Sequence, residues 1–298
     1  MKPITTHFRS ALAAATISLM GSAAANAHGG FTLFGEPSLA IPAEQQTVRP
    51  LTAPYFHEDA FVGTDVRAWY VNHHFYGNTI GGEVDVYAVQ VRVALTQSLQ
   101  FVAYKDGYTD FGGTLNNASG WNDIGAGVKW AFVQDQANQF HLAAGVGAEL
   151  ALGDDEVLQN TNELRFWFSA NKGFDRLHLG AVVNYRLAED NDEGALGSAD
   201  MVTVHFHADY HLTNWFSPVI ELNGYFVTSE GAGVAPFSGV DAVAIAGGKG
   251  EETLTGAIGG EFRPFGPELG IRAAYETQLN SSESLFGHRW TVSTVYAF

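Results

Sequence analysis

The stretch HRWTVSTVYAF (His288–Phe298) alternates from end to end. Trp290, Val292, Thr294, Tyr296 and Phe298 fall on one side; Arg289, Thr291, Ser293, Val295 and Ala297 fall on the other. A period of two marks a strand whose two faces meet different surroundings. The oily side ends on an aromatic ring, whereas the termini of soluble domains usually fray. The same grammar recurs upstream. In WNDIGAGVKWAFV (121–133), Ile124, Ala126, Val128, Trp130 and Phe132 oppose Asp123, Gly125, Gly127 and Lys129. In QFHLAAGVGAELAL (139–152), Phe140, Leu142, Val146 and Leu150 oppose His141, Gly145, Gly147 and Glu149. In MVTVHFHADYHL (201–212), Val202, Val204, Phe206 and Tyr210 oppose His205, His207, Asp209 and His211.

Further runs are centred near 64–76, 83–95, 99–108, 162–171, 177–188, 216–228, 253–263 and 268–278, which gives about twelve strands. The breaks between them alternate in length. Short ones lie at 96–98, 134–138, 172–176, 213–215 and 263–268; longer ones lie near 109–120, 153–161, 189–200, 229–252 and 279–287. The first break, 77–82, is short and departs from the rule. Tight turns on one rim and loops on the other are the pattern of a transmembrane barrel. An even strand count returns both chain ends to the short-turn rim.

One face of nearly every strand is apolar and carries aromatics near its ends, as at Trp130, Phe132, Phe140, Phe166, Phe168, Phe216, Phe262, Phe265 and Trp290. Such rings suit the two interfaces of a bilayer. Ten residues tilted by about 40° rise roughly 25 Å, the height of an outer-membrane apolar band. Open sheet edges are excluded from lipid, so the sheet must close, last strand against first. The expected fold is therefore all-β: a transmembrane, antiparallel, up-and-down β-barrel over residues 61–298.

Composition agrees. Charged residues are only 16%, while glycine (34), Phe (21), Tyr (11) and Trp (6) are plentiful, which suits alternating strands better than helices. The chain has no cysteine, which excludes disulfides and thiolate chemistry. Lys2, Arg9, the small apolar run Ala11–Ala25 and the Ala25-Asn26-Ala27 tripeptide read as a signal peptide, 1–27, cut after Ala27. The mature chain then carries 13 basic against 32 acidic residues, a net charge of −19, which disfavours nucleic acid as a partner. Residues 28–60 hold four prolines and little alternation. They are expected either in the periplasm or as a plug in the lumen.

Phase assigns most basic residues to the inner face: Arg67, Arg92, Lys129, Arg165, Arg186, Arg263, Arg272 and Arg289. Asp65, Asp123, Glu149, Glu163, Asp209, Glu221, Glu261 and Glu276 share it. All of these except Asp65, Asp123 and Glu163, together with His205, His207 and His211, are the sixteen candidate pore-lining residues. In an open pore such rows sort solutes by charge; in a closed lumen they form ion pairs. Both arrangements remain open. Alternate residues on a strand lie about 6.6–6.8 Å apart, so His205, His207 and His211 do not make a compact metal shell by themselves. No nucleophile elbow, HExxH or phosphate loop is present, so no catalytic residue and no cofactor is expected.

GWNDIGAGVKWAF (120–132) and WFSPVIELNGYF (215–226) resemble the family of meta-pathway-of-phenol-degradation proteins, with Asp123, Gly127, Lys129 and Glu221 at the similar positions. The resemblance covers 110–298. It implies an outer-membrane barrel of a Gram-negative bacterium that admits small, often aromatic or hydrophobic, compounds. The terminal Phe298 resembles the signal by which such barrels are recognised by the barrel assembly machinery. The expected function is a passive channel or transporter, with outer-membrane lipid, that machinery and a small solute as partners. An outer-membrane hydrolase using rim histidines and acids, or a structural or adhesive barrel, are the alternatives.

Overall fold

The computed structural model describes residues 30–42, 45–75, 82–112, 117–157, 162–189, 200–229, 252–280 and 286–298. The signal-peptide region, the centre of the acidic 189–200 loop and the Gly-rich stretch 231–239 lie outside the described residues. Fourteen strand segments follow one another: β1 (Asp65–Phe75), β2 (Glu83–Ala94), β3 (Leu99–Lys105), β4 (Tyr108–Gly112), β5 (Ser119–Trp121), β6 (Ile124–Asp135), β7 (Phe140–Leu150), β8 (Glu163–Phe174), β9 (Leu177–Ala188), β10 (Met201–Tyr210), β11 (Phe216–Val227), β12 (Glu252–Phe262), β13 (Leu269–Gln278) and β14 (Phe286–Ala297).

They make twelve staves, because two staves are broken. The Val91–Ala94 end of β2 pairs with β3, and its Glu83–Tyr87 end pairs with β4. Segments β3 and β4 are thus one stave interrupted at Asp106–Gly107. Gly107 has φ +119°, and a Cβ there would lie 2.4 Å from the Tyr87 carbonyl oxygen, so the kink needs glycine. Segments β5 and β6 form the next stave, interrupted at Asn122–Asp123. The alternation predicted a continuous strand over 99–108; a kink that needs one glycine leaves the period of two unmarked.

Every pairing is antiparallel, and the sheet closes. Strand β1 pairs with β2 from Asp65–Arg92 to His74–Glu83, and with β14 from Asp65–Ala297 to Phe75–Phe286. The terminal strand therefore completes the cylinder. Its last amide, at Phe298, donates to the Thr64 carbonyl just before β1.

The burial pattern is that of a soluble protein turned inside out. Ile258 is 67% exposed, Ile220 59% and Trp130 57%, and these belong to an outward face rich in Val, Leu, Ile and aromatic side chains. The inward face buries Arg67, Arg92, Lys129, Arg272 and Arg289. Water would penalise so much exposed apolar surface, whereas hydrocarbon does not. Small inward residues make room for large ones: a Cβ on Gly145 would meet the Trp167 ring at 2.1 Å.

Candidate functional site: the lumen

All sixteen candidate pore-lining residues are buried inside the barrel, as are Asp65, Asp123 and Glu163. Several form pairs within the wall. Lys105 binds Glu149, and Arg263 binds Glu261. Arg289 donates from Nε and Nη2 to Glu276, the residue opposite it in the β13–β14 register. Arg186 lies 3.3 Å from Glu163. Arg67 binds Asp65 on its own strand through Nε at 2.7 Å. Asp123 serves differently: it caps the loop after β7 by accepting the Leu152 and Gly153 amides.

The remaining charges meet a segment whose role the sequence left undecided. Residues 30–34 cross the short-turn rim. Phe31 N–H donates to the Phe298 carbonyl at 3.0 Å, and Leu33 N–H to that of Ala94 at 2.8 Å. The chain then enters the barrel. Val48 N–H donates to Asp209 Oδ1, and the amides of Leu51 and Thr52 donate to the two oxygens of Glu221 at 2.8 and 2.7 Å, with the Thr52 hydroxyl as a third donor. It reverses at Ala53–His57, where Ala53 takes φ 49° and its carbonyl accepts the Phe56 and His57 amides. Tyr55 and Phe56 stand at the apex. Arg165 donates to both their carbonyls and also binds Asn184.

The descending limb steps down β8. Ser169 Oγ donates to the Glu58 carbonyl, and the Ala60 amide donates to Asn171 Oδ1 two residues lower. Its acids face a basic wall. Arg92 grips both oxygens of Glu58 through Nε and Nη2. Lys129 donates to the Asp59 carbonyl at 2.9 Å and lies 3.5 Å from its carboxylate. Arg49, from the ascending limb, binds Asp59 at 2.9 Å, and Arg272 donates to the Arg49 carbonyl. Burial by itself would raise the Glu58 carboxyl, but Arg92 and then Lys129 hold it below the usual carboxylate range. Asp59 is likewise held low against burial, by Arg49, Lys129, Arg67 and Arg92.

The histidine row is divided by its partners. His207 has Nδ1 at 2.7 Å from Glu221 and Nε2 at 3.0 Å from Asp209, so each ring nitrogen faces a carboxylate oxygen. His205 lies between Asn223 and Thr203, and stacks on Phe56 and on His57. His178, on β9, binds the other oxygen of Asp209. His211 lies past the end of β10, near Asn214 in the following turn. Among the described residues no group of three or more His, Asp or Glu side chains is set to hold a metal ion.

The lumen is also less polar than alternation predicted. Toward the long-loop rim, Val71, Phe75, Val84, Val86, Phe111, Met201, Val227 and Phe286 form one buried apolar cluster with Ala53, Tyr55 and Phe56. The cations that meet Glu58 and Asp59 lie toward the short-turn rim, whereas the long-loop half holds this cluster together with the pairs Lys105–Glu149, Arg186–Glu163 and Arg289–Glu276. A cavity of about 10 Å³ beside Phe61, His141 and His178 has room for about one water. Sequence reasoning missed Arg49, His57, Glu58, Asp59, Lys105 and His178. The one available signal was YFHED (55–59), a dense aromatic and charged run inside a Pro-rich segment.

A closed sheet of twelve staves, apolar outside and charged within, defines a transmembrane β-barrel of the outer-membrane type. The chain belongs to the family described as "Putative MetA-pathway of phenol degradation", whose model matches residues 27–295. Among solved structures it is similar to the COG4313 outer membrane channel from Pseudomonas putida F1, with 16% identity and a TM-score of 0.59 over 85% of this chain and 100% of that one. At that identity the likeness establishes the fold. The KdgM porin is a looser match, with 12% identity and a TM-score of 0.46 over 78% of this chain and 99% of that one. No curated protein matches the chain.

Proposed function

We propose that this barrel is a passive channel for small molecules, apolar and aromatic compounds among them, and that residues 45–64 plug its lumen. The observation that carries this reading is a lumen crossed by a chain segment that has its apex in an apolar cluster toward the long-loop rim and its acids on cations toward the short-turn rim, held by non-covalent contacts throughout. Such contacts exchange for water or solute without breaking a covalent bond or a wall pairing. The sixteen inward residues line the path once the plug shifts. No energy source is needed, and no catalytic role is assigned. Residues 1–27 direct export. Phe298, on the closing strand, is the contact for the assembly machinery, and its deletion should lower the yield of folded barrel.

Planar-bilayer recording tests the channel. Wild-type protein should give rare, small conductance steps. Replacing residues 48–60 by a Gly/Ser stretch of equal length should give steady, ohmic steps. Silence from both proteins, with the barrel verified as folded, would refute the reading.

A further inference from the structure

The basic patch gripping Glu58 and Asp59 differs from the rest of the wall. Glu149, Glu163, Glu261 and Glu276 each have a cation contributed by the wall. Around Arg67, Arg92 and Lys129 the wall supplies one carboxylate, Asp65, at 2.7 Å from Arg67 and 3.9 Å from Arg92. Three cations thus share a single wall anion. The deficit is met by the plug: Glu58 on Arg92, and Asp59 near Lys129 and Arg67. The contacts of Lys129 described above are all to Glu58 and Asp59. Arg92 holds Glu58 in the two-point geometry by which a guanidinium recognises a carboxylate.

Beyond this patch the inner face turns apolar. Along β1, Arg67 is followed by Trp69 and then Val71; along β2, Arg92 is followed by the Gln90 amide, which it contacts, and then by Ala88, Val86 and Val84. From Arg67 to Val71 is roughly 14 Å, four residues at about 3.4 Å each. Val71, Val84 and Val86 all belong to the oily cluster. The plug itself has this two-part character, with Tyr55 and Phe56 in the oily cluster and Glu58 and Asp59 on the cations.

We infer that Arg67, Arg92 and Lys129 form a carboxylate-binding subsite, that Glu58 and Asp59 occupy it as tethered stand-ins, and that the solute is an amphiphile with a carboxylate head and an apolar body. This rests on the channel reading and names its solute class. Such a solute competes with the plug for the same cations while its body enters the oily cluster. Binding and opening are then one event, because a ligand shifts an equilibrium by its preference for one state. A neutral molecule of equal oiliness lacks the head and does not displace the acids.

The test uses the absence of native cysteine. Ala60→Cys places a thiol at a fully buried plug position outside the subsite, so its labelling by a membrane-impermeant maleimide reports plug exit. In proteoliposomes, octanoate should speed labelling by about tenfold or more, and 1-octanol at equal concentration should not. Lys129→Gln should abolish the octanoate effect. Equal action of octanoate and octanol, or an undiminished octanoate effect in Lys129→Gln, would overturn the inference. The octanoate–octanol comparison needs no change at the subsite, so it stands even if Lys129→Gln does not fold. Bilayer recording separates the two failures. If the barrel conducts but octanoate and octanol act alike, the carboxylate subsite is wrong and the channel stands; if neither wild type nor the Gly/Ser replacement conducts, the channel reading itself is wrong.

Discussion

Glu221 is where the plug is held most densely, so its replacement gives the sharpest energetic prediction. Its two oxygens accept the Leu51 and Thr52 amides and the Thr52 hydroxyl, all from the plug, as well as His207 from the wall. Hydrogen bonds to a charged acceptor contribute roughly 1.5–3 kcal/mol each. Glu221→Gln keeps one acceptor oxygen and turns the other into an NH₂ that faces donors. One to two of the three plug bonds are lost, which weakens docking by about 2–4 kcal/mol and raises the undocked fraction roughly 30- to 1,000-fold. In an Ala60→Cys background, maleimide labelling in the regime of fast reclosing follows the open population directly. The labelling rate should therefore rise by that factor, with the barrel's heat-dependent gel mobility unchanged. An unchanged rate in a folded Glu221→Gln barrel would refute the claim that this carboxylate holds the plug.

Acidification should also loosen the plug. Burial pulls the His57 imidazole from its usual 6.5 to about 4, against opposing pulls from Glu221, Asp59 and Glu58, while His207 adds to the lowering and His205 stacks on the ring. A histidine lowered in the docked state favours docking above 6.5 and loses that contribution as pH falls. Between pH 7 and pH 5 the undocked ring gains a proton that the docked ring refuses, worth about 2 kcal/mol; His207, whose partners Asp209 and Glu221 are both on the wall, is common to the two states. Labelling at Ala60→Cys, corrected for thiolate fraction, should rise about twentyfold, and His57→Gln should flatten the profile. On the outer face, Ile220→Arg should cost about 2–4 kcal/mol of folding free energy in phospholipid vesicles if that site faces mid-bilayer; a loss under about 0.5 kcal/mol in urea titration would place it outside the hydrocarbon.

The alternation of residues 288–298, and its repetition in eleven other runs, was enough to settle the barrel, its inner and outer faces and its closure. Side-chain direction in a strand is a local property with a period of two, and a belt of Ile220, Ile258 and Trp130 opposite buried arginines is written in that period. What the inner charges do was not local. Glu221 meets Leu51 and Thr52 across some 170 residues, and Arg92 meets Glu58 across 34. The plug has no period, since its backbone bonds to wall side chains and to its own turn instead of to a ladder. Its course, the oily cluster in the lumen and the three cations it neutralises exist only once the sheet has closed and brought distant strands around it.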